Sequence, residues 1–503
     1  MVGRVAAIRA SHRSWAMLAL VLAGTAGMRS YQRHAFLDPD EAWYALSGEA
    51  LLRGGVPFRD IQDVKGPIIW YVNALALKIR DADLVSVRLA ASAAVLATQC
   101  LLFSMGRRWF SPAAGLWAAL LYGTATLGEM GQPANTELFA AVPIVAMFYV
   151  ADIALARRTP VLAAVAGVAG AVALGCRHLA VFEMAACAWF LYSGARARGV
   201  VRRALVVVVF AGAAALMAAA AGYWLYRAGA LGDAVECLFG RKPIAWLHAP
   251  ASAAVKGLGT SLKIVWHHAP MWALGLTSLA PGLTQLGGED GPQEPLDLSR
   301  ARWWFVAALC SASVTGAFWK HYFLPLFAPL ALAGGATAAG LAAHLGPTPR
   351  LARGVRAFVR ASLAVAVVAP IGNAAAYYYQ TRDVSDSEAE CRAVGLRVHT
   401  LARPSDTVYA WGPGAAQIHF WSRLPLASSL PSASENLDQA GVLDGWEREV
   451  TMRPPTWFVI AASPLRQQAA FGQAPFLAEL LARRYALRQV CAQWAIYRLS
   501  EPS

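Results

Sequence analysis

The chain has 503 residues, 57% of them hydrophobic and 15% charged, with a formal net charge of +14 and a mean hydropathy of +0.43, whereas a soluble domain carries about 25% charged residues. That composition excludes an ordinary soluble enzyme, a nucleic-acid-binding domain and a disordered tail. From residue 382 onward 12 basic residues face 12 acidic ones, so the excess positive charge lies in the apolar part, where 32 Lys and Arg stand against 18 Asp and Glu. An apolar chain whose basic residues gather in short loops is a polytopic membrane protein. The high pI reflects topology rather than a nucleic-acid partner.

A bilayer span needs about 20 apolar residues, and the apolar runs here are cut by short polar or basic punctuation. The pattern predicts helices over 14–30, 84–105, 112–127, 136–155, 160–175, 179–193, 204–226, 264–286, 303–318, 323–345 and 357–378, about eleven spans. Arg4, Arg9 and Arg13, then Arg107 and Arg108, Arg157 and Arg158, the 196–203 cluster, Arg300 and Arg302, and the 350–360 cluster fall on one side of that threading. Cytoplasmic loops retain Lys and Arg, so the N-terminus is expected inside. An odd number of spans then places the first loop, 31–83, and the tail, 379–503, outside. The apolar stretch 67–77 is short for a span and reads as an interfacial or re-entrant helix, and 41–52 reads as a helix lying along the membrane surface.

The tail changes period. β-rich runs at 407–411, 456–460 and 494–499 alternate with helical stretches at 387–401, 435–450 and 471–485, the pattern of a small α/β domain. The expected architecture is a polytopic α-helical membrane domain, 1–378, followed by an extracytoplasmic α/β domain, 379–503. Seven cysteines show no C-x-x-C or other metal spacing. Cys391 and Cys491 are the two in the tail, and an oxidising compartment would allow them either to pair or to stay free.

The first loop holds Asp38, Asp40, Glu41, Glu49, Asp60, Asp63, Asp81 and Asp83, eight of the 18 acids of the membrane part. Acids pressed against a membrane are desolvated, which raises their pKa and suits them to take a proton from a hydroxyl. An ordinary solvated loop is the plain alternative for any single acid. The D-x-D spacing puts Asp38 and Asp40 on one side of an extended strand.

The stretch D-P-D-E-A-W-Y, followed by R-D-I-Q-D-V-K-G-P-I-I-W-Y, resembles the first-loop signature of the GT-C glycosyltransferases. The resemblance is to the protein O-mannosyltransferases and to the bacterial enzymes that decorate lipid A with aminoarabinose or galacturonic acid. P-A-N-T-E-L-F at 133–139, W-K-H-Y-F-L-P-L at 319–326 and D-T-V-Y-A-W-G at 406–412 extend it in order along most of the chain. The sequence departs from the pattern at Gly66, where a proline commonly follows the lysine, and at Arg177-His178, where relatives often show Lys-Gly-Pro.

The resemblance implies a polyprenyl-phosphate-linked sugar donor, a lipid, glycan or protein acceptor, and an inverting single displacement at the outer membrane face. By that analogy Asp40 is the general base or acceptor-orienting carboxylate, Glu41 supports it, and Asp38 is a competing base. A departing phosphate needs cations, because charge builds on its oxygens. Lys65, Arg59, Arg177, His178, Lys320 and His321, with the Tyr322 hydroxyl, are the candidates. For Lys320 and His321 the alternative is snorkelling to the interface, and for Arg177 an ion pair with Glu183 inside the bundle. Arg241 and Lys242 read as solvated surface.

Tyr44, Glu129, Asn135 and Glu137 are candidates for sugar or acceptor contact. Helix capping by Asn135, with Glu137 at a helix N-terminus, is the simpler account. Asp152 and Arg88 read as structural. No tightly bound metal or other cofactor is expected, with a weakly held divalent cation left open. The partners expected are the lipid-linked donor, the acceptor and membrane lipids, in a bacterial inner membrane. A transporter or lipid flippase is the rival reading. It would place charges near the bilayer midplane of paired repeats, but no repeat is visible and the charges gather at one surface.

Overall fold

The computed structural model describes residues 2–31, 37–79, 84–128, 131–195, 199–240, 251–279, 299–316, 318–343, 353–381, 386–430, 434 and 441–500. The chain forms two compact units. One comprises Met1–His34, Arg88–Ala221 and Ala249–Tyr378, and the other Ala35–Val87, Gly222–His248 and Tyr379–Ser503. The acid-rich first loop is thus part of the same unit as the tail.

The first unit is helical. Its elements are α1 (Val2–Tyr31), α4 (Leu84–Trp109, from Arg88), α5 (Pro112–Ala125), α6 (Thr136–Arg157), α7 (Pro160–Cys176), α8 (Val181–Gly194) and α9 (Gly199–Arg227, to Ala221). They are followed by α11 (Ala251–His267), α12 (Ala269–Leu279), α13 (Ser299–Ser313), α14 (Leu324–Ala343) and α15 (Arg353–Thr381, to Tyr378). Among the described residues four helices are long and apolar enough to cross a membrane: Leu84–Trp109, Thr136–Arg157, Gly199–Arg227 and Lys320–Ala343, the last counting the short turn ahead of α14.

Small residues bring helix backbones together, as expected where lipid offers no hydrophobic gain for association. A Cβ on Gly335 of α14 would lie 2.5 Å from the Ala114 carbonyl oxygen and 2.7 Å from the Ala118 nitrogen of α5. Buried polar side chains add specificity. Gln99 Nε2 donates to Thr25 Oγ1 (3.0 Å) and to the Ala119 carbonyl (2.9 Å), tying α1, α4 and α5. Asp152 of α6 pairs with Arg108 of α4 and, at 3.2 Å, with Arg300 of α13, the structural role read for it from sequence.

One expected helix is redrawn. The span placed at 264–286 is two helices broken at His268, and residues 280–286 lie outside the described set. Pro270 explains the break, because it lacks the N–H that a continuous helix would donate one turn back and its ring crowds that carbonyl.

The second unit contains α2 (Pro39–Leu52), α3 (Ile68–Ile79) and α10 (Leu231–Val235). Its tail runs α16 (Asp386–Leu401), β1 (Val408–Trp411), α17 (Ala415–Ser422), α18 (Val442–Met452), β2 (Trp457–Ala461), α19 (Pro464–Gln473), α20 (Phe476–Arg484), β3 (Tyr485–Cys491) and β4 (Trp494–Leu499). The strand order is β1-β2-β4-β3, with β1 parallel to β2 and the other pairs antiparallel.

Side chains alternate across β1 and β2 as strand geometry requires. Tyr409, Trp411, Phe458 and Ile460 enter one core with Trp446, Leu477 and Leu481, from α18 and α20. Val408, Ala410, Trp457 and Val459 enter the other with Val394, Val398 and Ile418, from α16 and α17. Helices cover both faces, so β1 and β2 read as continuous apolar runs.

The tail departs from expectation at 471–485, read as one helix. Pro475 separates α19 from α20, and the chain turns into β3 at Tyr485, which pairs with β4. The helix expected over 435–450 runs from Val442, and 435–440 lie outside the described residues. Cys391 and Cys491 are free thiols packed on one apolar cluster.

The helix expected at 41–52 forms, and it packs within the unit. Eight of its residues, Glu41 among them, are buried. A Cβ on Gly48 would lie 2.7 Å from the Ala74 nitrogen, so α2 and α3 meet backbone to backbone. On α3, Tyr71, Leu75 and Ile79 form an exposed stripe at i, i+4, i+8 while Ile69, Trp70, Asn73 and Leu77 are buried, the pattern of an interfacial helix.

Candidate active site

In the second unit the D-P-D-E sequence is a helix start. Asp38 is the N-cap, Pro39 takes the first helical position, where its missing N–H costs nothing, and Asp40 and Glu41 follow in the first turn. Asp38 Oδ1 accepts the Asp40 N–H at 3.0 Å. Acids in this turn face the positive end of the helix dipole. Burial, then the Asp40 and Glu41 carboxylates, push the Asp38 carboxyl up to about 7 from its ordinary 3.8. Asp40 is half-buried, Glu41 is fully buried, and Tyr44 is buried one turn on.

Leu37, just before the cap, is fully buried, and tail side chains hold both of its backbone groups. Its N–H donates to Glu388 Oε1 of α16 at 2.7 Å, and its carbonyl accepts from Gln417 Nε2 of α17 at 3.3 Å. Further along the loop, Gln62 N–H donates to the Ser429 carbonyl at 2.8 Å. Glu49, buried on α2, pairs with Arg53 at 3.5 Å and with Arg423 at 3.4 Å. Burial raises its pKa and the two arginines oppose that rise.

Of the candidate cations in this unit, Lys65 is buried, and its N–H together with that of Val64 is received by Asp63 Oδ1 at 3.3 and 2.6 Å. Arg59 is exposed and doubly bonded to Asp60, with a third bond to the Ala228 carbonyl at 3.1 Å. Those bonds hold the Asp60 carboxyl below its ordinary value.

In the first unit the structure brings Glu137, Arg177 and Tyr322 together. Arg177, at the junction after α7, is fully buried. Its Nε lies 3.3 Å from Glu137 Oε1, within ion-pair range though off the line of a hydrogen bond. Nη1 donates to Ser311 Oγ at 2.7 Å and Nη2 to the Ser311 carbonyl at 3.2 Å. The guanidinium also stands 5.8 Å from the centre of the Tyr322 ring. Glu183, fully buried, is a second carboxylate in the field of Arg177. The salt bridge of Arg177 is therefore to Glu137 on α6, not to Glu183 as expected.

Lys320, His321 and Tyr322 form a 3-10 turn with Phe323 ahead of α14. Lys320 is exposed, His321 half-buried and Tyr322 buried, and the His321 and Tyr322 rings meet edge-on at 4.7 Å. His178, also half-buried, opens the short turn between α7 and α8.

Asn135 occupies the N-cap position of α6, but its side chain makes no capping hydrogen bond and its buried Oδ1 has no partner, so the capping account does not hold. Glu137 is in the first turn, as expected of an acid at a helix N-terminus. Glu129, Arg241 and Lys242 lie outside the described residues. Among the described residues no three acidic, His or Cys side chains converge as a metal-ligand set. Four residues of these sites had no signal in the sequence: Ser311, Glu388, Gln417 and Arg423, each recruited across long stretches of chain.

Residues 64–224 match the dolichyl-phosphate-mannose-protein mannosyltransferase family. The fold is similar to that of ArnT from Cupriavidus metallidurans in the apo state, with a TM-score of 0.64 at 14% identity over 98% of this chain and 100% of that one. It is likewise similar to the same protein bound to undecaprenyl phosphate, with a TM-score of 0.60 at 16% identity over 96% and 99%. The archaeal oligosaccharyltransferase AglB from Archaeoglobus fulgidus gives 0.54 at 11% identity, over 98% of this chain and 74% of that one. No curated protein matches. The likeness establishes the GT-C membrane fold, and with the family match it bears out the GT-C glycosyltransferase class that the first-loop signature implied.

Proposed function

We propose that this protein moves a sugar from a polyprenyl-phosphate-linked donor to an envelope lipid, glycan or protein at the outer face of a bacterial inner membrane, inverting the anomeric carbon. In this reading about eleven spans thread the membrane, the N-terminus is cytoplasmic and the α/β tail lies outside. Asp40 is the base or acceptor-orienting carboxylate. The observation that carries this is the helix start at Asp38. Its Oδ1 accepts the Asp40 N–H, which fixes the first turn on which Asp40 sits half-buried. Glu41, fully buried in the same turn, supports it. Asp38, with its pKa near 7, is placed to hold a proton at neutral pH.

Lys65, in the same unit as Asp40, would meet the phosphate that leaves. Such groups stabilise charge that develops on departing oxygens. Arg59 and Arg177 are committed to carboxylates in the structure, which favours a supporting role for them over direct phosphate contact. The solved relative that holds undecaprenyl phosphate supports a lipid-phosphate donor. Tyr71, Leu75 and Ile79 on α3 supply an apolar stripe suited to a membrane interface.

The test compares envelope glycans, by mass spectrometry, from cells carrying wild-type protein, Asp40→Asn or no protein. One glycan species should vanish from both the null and the Asp40→Asn cells while the mutant protein stays at normal level in the membrane, and the mass lost names the sugar. Retention of that species by Asp40→Asn would refute the base assignment. Unchanged glycans in the null would refute the transfer reading itself.

A further inference from the structure

Leu37 stands one residue before the cap of the acid-bearing helix, and its two backbone groups are both held by side chains of the tail rather than by the loop it belongs to. The N–H goes to Glu388 Oε1 at 2.7 Å and the carbonyl receives Gln417 Nε2 at 3.3 Å. Leu37, Glu388 and Gln417 are all buried, at 0%, 8% and 7% exposure. A buried backbone N–H and C=O without partners would be costly, so these two side chains fix the place and direction of the chain entering Asp38. Downstream, Asp38 holds the Asp40 N–H, so Asp40 hangs from a short rigid path: tail side chains, Leu37 backbone, Asp38 cap, first helical turn.

We infer that Glu388 and Gln417 are positioning residues for the reaction, setting where the Asp38–Asp40 turn is held through the backbone of Leu37. This rests on the proposed role of Asp40. The tail would then hold the acid turn in place. Misplacing a reacting group by about 1 Å can cost about 100-fold in rate. Loss of either bond acts on the placement of the acid turn, so the effect belongs in turnover rather than in binding. It also belongs in the titration of the turn, because Asp38 shares charge with Asp40 and Glu41 and its environment depends on the cap.

The experiment uses full-length protein purified into detergent and added back to membranes of cells that lack it, with the donor-lipid fraction extracted from those same cells as the probe. The readout is the glycan species missing from them. Four variants are compared with wild type: Glu388→Ala, Glu388→Gln, Gln417→Ala and Asp40→Asn. Glu388→Ala and Gln417→Ala should lower turnover about 10- to 100-fold, leave half-saturation by the donor fraction within about twofold, and move the acid limb of the pH–rate profile. Glu388→Gln keeps an oxygen that accepts the Leu37 N–H and should recover most of the rate.

Hydrogen exchange of the peptide spanning residues 37–46, read on the same samples, should speed up in the two alanine variants and stay slow in Glu388→Gln. Faster exchange with wild-type turnover and an unmoved pH profile overturns the inference, as does unchanged exchange. A loss of rate that Glu388→Gln fails to recover overturns it too. Failure of the Asp40 reading is a separate result: Asp40→Asn would keep full activity, whatever the tail variants do.

Discussion

Arg177 and Glu137 form an ion pair sealed inside the helical unit, Nε to Oε1 at 3.3 Å with both side chains almost wholly buried. It joins the end of α7 to the first turn of α6, and Ser311 brings in α13 through two further bonds. Taking one partner away unbalances a buried group of charges that also includes Glu183, and breaking a buried pair costs about 3–5 kcal/mol. Arg177→Ala or Glu137→Gln should therefore lower the thermal midpoint of the detergent-solubilised protein by several degrees. Arg177→Met combined with Glu137→Leu removes both charges and should lie closer to wild type than either single change. A double variant less stable than both singles would show that the pair acts on something other than each other's charge.

Asp38 gives the stability of the second unit a pH dependence with a definite sign. Folding raises its pKa from 3.8 to about 7, so the folded chain binds that proton more tightly than the unfolded one. The stability tied to it is whole below about pH 3.8 and is lost as pH climbs toward 7. Asparagine caps helices as well as aspartate does but does not titrate. Asp38→Asn should melt above wild type at pH 8 and converge with it toward pH 4. A gap that widens on acidification would reverse the assignment.

Gly48 allows α2 and α3 to touch. The atoms that a Cβ there would meet at 2.7 to 2.9 Å include the backbone of Asn73 and Ala74, which cannot swing aside. Gly48→Ala should cost about 1–3 kcal/mol as overpacking, against a small gain in helix propensity. Limited proteolysis of the 53–67 connection should speed up in that variant and not in Gly54→Asn, since Gly54 has open space around it and a φ of +86° that asparagine tolerates.

Cys391 is a free, buried thiol whose pKa is pushed up to about 12 by burial, with Glu388 and Glu390 adding to the shift. Reactivity follows the thiolate. Iodoacetamide at pH 7.5 should leave Cys391 untouched until denaturant is added. Mass spectrometry without reductant should then find both Cys391 and Cys491 alkylated. Protection of that pair in denaturant, lifted by reductant, would mean the two are joined.

Much of the fold is written locally. The acid turn carries its own N-cap and Pro at N1, β1 and β2 carry their apolar runs, and the helices of the first unit lie over the apolar stretches between basic punctuation. What escaped was decided at a distance. Glu183 lies six residues from Arg177 and so offered itself as the partner, yet the cation turns to Glu137 on another helix, a choice made by packing that spacing does not encode. The Y-A-L-R-Q-V-C stretch lacks the polar–apolar alternation that announces a strand and becomes β3 by pairing with β4. Asn135 had the identity and position of a cap, but its side chain is turned away from that bond.

The two bonds to Leu37 also set an order in time. The acceptor Glu388 and the donor Gln417 lie 351 and 380 residues further along the chain. At about 5–20 residues per second of synthesis, the acid turn waits on the order of 20 to 75 s after it is made before the side chains that seat it exist. Until the last quarter of the protein has been translated and folded, the turn lacks its seat. An unfinished copy therefore carries every acid of the first loop without the two side chains that hold Leu37.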